Sequence, residues 1–367
     1  MPSRLAWLSV PLLGLAVVFG MPAAHADEGA GGESGADAGR DADVGVSLWL
    51  DDYDTAMNVG KREGKDLLIN FTGSDWCPWC KKLDAEVFAK PEFSAAASKH
   101  FVFVTLDYPR SPQIQARLPN PKRNAQLQTR FSVTEFPAVI LMTTKGDAYA
   151  RTGYRKGGWK TYFQHLDQLR VRNRKQMRAA MEVAGAFAAA KGVERSKLMR
   201  EGLRQMKSFP IDAPYADVLI PLAREAAAPK GPTVDSHTAD SQRDAQVLAL
   251  ASLMRLARST PEEEERARKL DPAAELGLLE LAVDAQCRRS KSKETVAAAL
   301  TAIVKLEKIG IEDKQLAARL FVNAAHWHEG IYRDAKTAAK WAQKAIDLVG
   351  TQPEYAELFG RLLNKTD

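Results

Sequence analysis

Apolar positions follow two regimes along this chain. In the first, strand-length runs alternate with amphipathic stretches. Residues 67–71 (Leu-Leu-Ile-Asn-Phe) and 101–107 (Phe-Val-Phe-Val-Thr-Leu-Asp) are short, β-branched or aromatic, and bounded by polar residues. A third strand follows Pro137 as far as Thr143, and Lys145-Gly146 turns it into a hairpin partner over 149–152. Between these lie helical patterns. Leu48, Leu50, Tyr53, Ala56, Met57 and Gly60 predict a helix starting at Ser47 or Leu48 and running to Arg62. Leu83, Val87 and Phe88 predict one ending near Ala89. Further helices are predicted at 91–98, 124–131 and 159–169, with a long loop over 108–120 whose composition shifts to Pro, Arg, Ser and Gln.

From Arg170 onward the second regime begins: no strand alternation, only helical spacing, broken at Gly192, Pro210, Pro214, 229–232, Pro261, Pro272, Gly310, Gly330 and Gly350. Paired helices stacked as a bundle or solenoid are expected there. The Pro-, Ser-, Asp- and Thr-rich stretch 230–244 reads as an exposed loop. Gly330-Ile331-Tyr332-Arg333-Asp334, with Ala338, Trp341, Lys344 and Ala345, resembles one unit of the tetratricopeptide/Sel1 type.

The chemistry concentrates where the strand at 67–71 gives way to a helix, at Trp76-Cys77-Pro78-Trp79-Cys80. The first turn of a helix carries unpaired backbone N–H groups and the positive end of the macrodipole, which favour a thiolate over a thiol. Cys80 lies one turn from Cys77, close enough to close a small disulfide ring, and Pro78 fits the first turn, where its missing N–H costs little. Half of a zinc site is another reading of the pair, but it would need a second ligand pair, and only Cys287 and scattered histidines are on offer. A purely structural bridge across so short a loop would hold almost nothing.

A strand followed by Trp-Cys-x-x-Cys-Lys at a helix start resembles the thioredoxin-like thiol–disulfide oxidoreductases. Phe136-Pro137 before the strand to Thr143 supplies that family's second mark, a cis-proline. Phe71-Thr72-Gly73-Ser74-Asp75-Trp76-Cys77 and Gly153-Tyr154 with Gly157-Gly158 look like an exported bacterial branch. The resemblance implies an α/β domain with a central mixed sheet flanked by helices, followed here by the all-α region. It implies that Cys77 attacks a substrate disulfide, that Cys80 resolves the mixed disulfide, and that Trp76, Trp79, Phe136 and Pro137 contact the substrate chain. One departure stands out. The family's buried aspartate before the motif is matched, with an offset of one residue, by Asn70, which cannot accept a proton. Asp75, Lys65 and Glu86 are the candidates to replace it.

Composition and charge set the address and exclude alternatives. Arg4, an apolar segment over 5–19 and Ala24-His25-Ala26 have the parts of a signal peptide cleaved after Ala26. Losing Arg4 takes the net charge from +6 to +5, too mild an excess to suggest a nucleic-acid partner. Residues 27–45 form a Gly-, Ala- and acid-rich leader, 46–172 the thioredoxin-like domain and 173–367 the helical domain. An exported, periplasmic or extracellular protein is expected, with no membrane span after cleavage. Three cysteines are too few for a disulfide-stapled scaffold. One close pair points to a pair kept for chemistry, and the resemblance implies redox work without a metal or organic cofactor, on protein disulfides, with a thiol electron donor or acceptor as second partner. Cys287 reads as a buried, inert thiol. Two rival functions remain: a helical-repeat adaptor using the thioredoxin module as a protein-binding platform, and a metallochaperone holding a soft ion on the two sulfurs.

Overall fold

The computed structural model describes residues 48–228, 236–350 and 356–363; the signal peptide and leader expected over 1–26 and 27–45 lie outside them. The first regime builds a five-stranded mixed sheet with order β1-β3-β2-β4-β5. Its strands are β1 (Trp49–Leu50), β2 (Asp66–Thr72), β3 (Phe101–Asp107), β4 (Ala138–Met142) and β5 (Ala148–Thr152). β2 pairs parallel with β3 and antiparallel with β4. All seven residues of β2 are buried because strands flank it on both edges and helices cover both faces, so its apolar run is nearly continuous.

Alternation along the strands divides the core in two. Leu67, Ile69 and Phe71 join Val104, Ile140, Tyr53 and Leu127 on one face, under α1 (Tyr53–Glu63) and, across the α5 position, a helix at Pro121–Arg130. Leu68, Phe103, Val139 and Leu141 face the other way. There they meet α2 (Pro78–Leu83), its π-helical continuation Asp84–Phe88, and α3 (Pro91–Ala97).

Several local expectations are corrected. The first helix does not start at residue 47 or 48: Trp49 and Leu50 add an edge strand beside β3, and Asp52 caps α1 by accepting from the Thr55 N–H at 2.7 Å. The loop at 108–120 contains a short helix, α4 (Pro112–Gln115), and α5 begins at Pro121, three residues early, because Asn120 caps it and Pro121 suits the first turn. The helix expected to stop at Leu169 continues as α6 (Gly158–Ala189), 32 residues long, so the division between 172 and 173 falls inside an unbroken helix. No glycine or proline interrupts it there, and Asn173, Met177 and Ala180 continue its buried stripe.

Beyond α6 every described element is helical: α7 (Gly192–Lys207), a 3-10 turn at Pro214–Leu219, α8 (Ile220–Ala227), α9 (Ser236–Arg255), α10 (Pro261–Leu270), α11 (Leu278–Arg289), α12 (Lys293–Ile309), α13 (Lys314–Gly330), α14 (Ala335–Val349) and α15 (Ala356–Leu363). Residues 236–244, read from composition as loop, form the first turns of α9, which propagate from the strongly apolar stretch downstream. The core beneath α2 runs without a break through α6 into α7, α8, α9 and α11; a second core joins α11 to α15. At the seam, the buried Asp66 carboxylate accepts from the Tyr149 hydroxyl at 2.8 Å and pairs with Arg174 at 3.0 Å, while the Asn173 amide donates to the Tyr149 carbonyl at 3.0 Å.

Candidate active site

Cys77 is the N-cap residue of α2, in extended conformation, and its Sγ accepts from the Cys80 N–H at 3.1 Å. The two sulfurs are joined in a disulfide with a Cα–Cα distance of 5.3 Å. Both residues are nearly covered, Cys77 at 2% and Cys80 at 4% exposure. The helix end therefore does for Cys77 what capping side chains do elsewhere: a backbone donor already points at its sulfur.

The loop carrying the motif is stitched to the end of β3. The Ser74 N–H and hydroxyl donate to Asp107 at 2.9 and 2.6 Å. Trp76 folds back over Gly73 so closely that a Cβ at Gly73 would stand 2.4 Å from its ring. Its indole N–H donates to the Tyr108 carbonyl at 2.9 Å, and the Arg110 guanidinium lies 4.4 Å from its ring centre. Trp76 meets Phe136 edge-on at 5.6 Å, and Tyr108 meets Phe136 at 5.3 Å. The Phe136–Pro137 bond is cis. Opposite the Pro137 carbonyl stands Gly153, where a Cβ would come within 2.9 Å of that oxygen.

Trp79 is 40% exposed. It packs against Tyr154 at 5.2 Å, with the Lys82 ammonium 5.4 Å from the Trp79 ring and 5.3 Å from the Tyr154 ring. The Tyr154 hydroxyl donates to Glu86 at 2.8 Å. So Trp76 and Phe136 sit on one side in a half-buried aromatic cluster, and Trp79 on the other in an exposed one. An open cleft of about 210 Å³ lies beyond Tyr108, lined by Gln115, Leu118, Asn124 and Gln128 among others.

The three proton-transfer candidates go elsewhere. Asp75 accepts from the backbone N–H groups of Ser111 at 2.7 Å and Arg110 at 3.0 Å, pinning the 108–120 segment to the motif loop. Burial pushes its carboxyl up, but those two donors outweigh it and hold it below the usual carboxylate range. Lys65 precedes β2 and pairs with Glu63 at 2.9 Å. Seven residues of strand separate it from the dithiol end, roughly 20 Å. Glu86 is held by Tyr154 and lies 3.8 Å from Lys82. Asn70 is buried in the middle of the sheet.

Residues the motif did not announce also shape this surface: Tyr108, Arg110, Lys82 and Tyr154. Only Tyr154 left a sequence trace, in the Gly153-Tyr154 word. Among the described residues no group of three or more His, Cys, Asp or Glu is placed to hold a metal ion, and no helix is long and apolar enough to cross a membrane. Cys287, the third cysteine, is buried in α11, where burial pushes its thiol up to about 12.

Comparison with known proteins matches these features. Residues 53–167 match the family model for a thioredoxin-like domain. The chain is 31% identical over 120 residues to the disulfide bond reductase DsbH of Chlamydia pneumoniae, covering 32% of this chain and 69% of that protein. It is 30% identical over 118 residues to the thioredoxin-related protein DsbJ of the same organism, covering 32% of this chain but 33% of that one. A solved structure of a DsbH oxidoreductase aligns at 28% identity and a TM-score of 0.30, covering 37% of this chain and 94% of that one. With a Cys-x-x-Cys disulfide at the head of α2 and 31% identity to a disulfide bond reductase over 69% of that protein, the chain belongs to the thioredoxin-like family and is a thiol–disulfide oxidoreductase.

Proposed function

We propose that this chain is an exported protein-disulfide reductase in which Cys77 attacks and Cys80 resolves, and whose helical region holds the partner. The observation that carries the reading is the Cys77–Cys80 disulfide at the head of α2, with the Cys77 sulfur at the helix N-cap. The reductive direction is supported by the name of the disulfide bond reductase that the chain resembles. The pair itself carries the two electrons. The Cys77 thiolate attacks one sulfur of a substrate disulfide, forming a mixed disulfide and releasing the other sulfur as thiolate. Cys80 then loses its proton and attacks Cys77, and the second substrate thiolate leaves. A thiol donor of the same compartment returns the disulfide to the dithiol.

Trp76, Phe136 and Pro137 would align the substrate backbone, and the exposed Trp79 would give it an apolar contact. The export address rests on the signal-peptide pattern over 1–26. Reduction of insulin disulfides by the full chain with a small dithiol tests the core of the reading. Cys77→Ala should reduce the rate to that of the dithiol alone, whereas wild-type activity in that variant would sink it. In the native host, Cys80→Ser should accumulate substrates covalently trapped on Cys77.

A further inference from the structure

Three consecutive residues of the motif loop each hold a piece of the segment that ends β3 and follows it. The Ser74 N–H and hydroxyl donate to Asp107, the Trp76 indole N–H donates to the Tyr108 carbonyl, and Asp75 accepts from the N–H groups of Arg110 and Ser111 at 3.0 and 2.7 Å. The Arg110 backbone is thereby fixed to the residue two before Cys77. Its side chain is fixed as well, with the guanidinium 4.4 Å from the centre of the Trp76 ring. Such stacking uses the flat face of a guanidinium and leaves the N–H groups around its edge free to donate. Arg110 is exposed, and among the described residues its guanidinium makes no hydrogen bond or ion pair. The carboxylates of this loop do not claim it: Asp75 and Asp107 are taken by the backbone and hydroxyl donors of the loop itself. The other flank of the dithiol differs. There the Lys82 ammonium lies over Trp79 and Tyr154, but Glu86 stands 3.8 Å from it and offsets its charge. Each aromatic flank carries a cation, and only the one over Trp76 lacks a carboxylate of this chain.

We propose that Arg110 is a specificity-determining residue: held against Trp76, its guanidinium receives a carboxylate of the substrate, an Asp or Glu side chain close to the cysteine under attack, through paired N–H donors. The inference rests on the disulfide-reductase reading above and names the class of cystine it prefers, one with an acid beside it on the Trp76 side. Trp76 is next to Cys77 in the chain and meets Phe136 of the cis pair at 5.6 Å. The guanidinium therefore borders the surface proposed to align the substrate backbone. Because the Arg110 backbone and side chain are both held before the substrate arrives, little rotamer freedom is lost on binding. The carboxylate stays ionised throughout, and the thiol–disulfide exchange itself is unaltered.

The test uses the full chain with a small dithiol and symmetric disulfide dimers of a glycine–serine peptide carrying one cysteine, with Glu, Gln or Lys at each of the three positions on either side of it. At one or more positions the wild type should reduce the Glu dimer about fivefold faster, in kcat/KM, than the Gln dimer, the gain expected for a paired, charge-assisted contact at an exposed site. The ratio should shrink toward one as salt is raised to about 1 M, where charges are screened over roughly 3 Å. Arg110→Gln should bring the Glu-to-Gln ratio to within twofold, and Arg110→Glu should favour Lys over Glu. Each ratio is taken within one variant, so a general loss of activity or stability does not move it. A wild type that treats Glu and Gln alike at every position, or a Glu preference that survives in Arg110→Gln, overturns the proposal. Failure of the underlying reading looks different: no dimer of any composition would then be reduced faster than by the dithiol alone, and both would fall.

Discussion

Trp79 shows how the residues around the dithiol divide their work. Trp76 is tied down by a hydrogen bond and a guanidinium, but Trp79 keeps 40% of its surface open while Tyr154 and Lys82 hold it in place. A rigid, exposed aromatic is suited to gripping a chain whose sequence varies. Trp79→Ala should therefore lower kcat/KM for a protein disulfide about fivefold to tenfold, the loss expected for one well-placed aromatic contact. Reduction of a small disulfide such as oxidised glutathione should change less than twofold, and equal losses on both would place Trp79 in the chemistry instead. The positions of Cys77 and Cys80 are legible in the sequence because short spacing and local turn chemistry fix them, and that of Pro137 because the family resemblance implies it. Those of Tyr108 and Arg110 are not, because they reach the site only through closure of the sheet. Asp75, Lys65 and Glu86 mislead for the converse reason: nearness along the chain says nothing about which way a carboxylate or ammonium is tied.

At the scale of the element, helix ends and buried acids govern stability. Asp271 is 2% exposed and accepts from the backbone N–H groups of Glu275, Leu276, Leu278 and Leu279, at 2.7 to 3.4 Å. It closes the turn into α11, so Asp271→Ala leaves several buried donors unmet. The variant should lose about 2–3 kcal/mol in urea unfolding. Glu280, in the first turn of α11, behaves oppositely. Burial, reinforced by the nearby Asp271, Glu312 and Asp313, raises its carboxyl from 4.5 to about 7. The folded state thus holds that proton more tightly than the unfolded chain. Stability falls as pH rises from about 4.5 to 7, and the full penalty applies above. Glu280→Gln should stabilise the protein by about 2 kcal/mol at pH 8 and leave it unchanged at pH 4. Equal gains at both pH values would assign the effect to packing. The four longer strands and most helices here could be read from periodicity; the edge strand β1 and the start of α9 could not, the latter because composition describes a segment and not the helix it continues.

At the scale of the molecule, one face of the sheet and the helices as far as α11 share a continuous core. The apolar layer under α2 continues through Leu166, Leu169 and Met177 of α6 into α7, α8 and α9, and Asp66, Tyr149, Asn173 and Arg174 lock the seam. A chain ending at residue 172 would cut α6 and strip this cover from the sheet. It should melt at least 10 °C below the full chain, which should itself unfold its sheet and α6 in one transition by circular dichroism. Arg174→Ala, removing the partner of a buried carboxylate, should cost about 2–3 kcal/mol. The sequence marks the change from strands to helices near residue 170 correctly as a change of pattern. It is silent on whether the two halves part company there, since an amphipathic stripe does not reveal what covers it.

At 32 residues, α6 is a rod of about 48 Å with one end under the sheet and the other among the helices beyond it. Its stiffness sets a gauge. On the reading proposed above, a protein held by the far helices would present its own sulfurs at a fixed span and bearing from Cys77, and cystines outside that arc would stay oxidised however exposed they are.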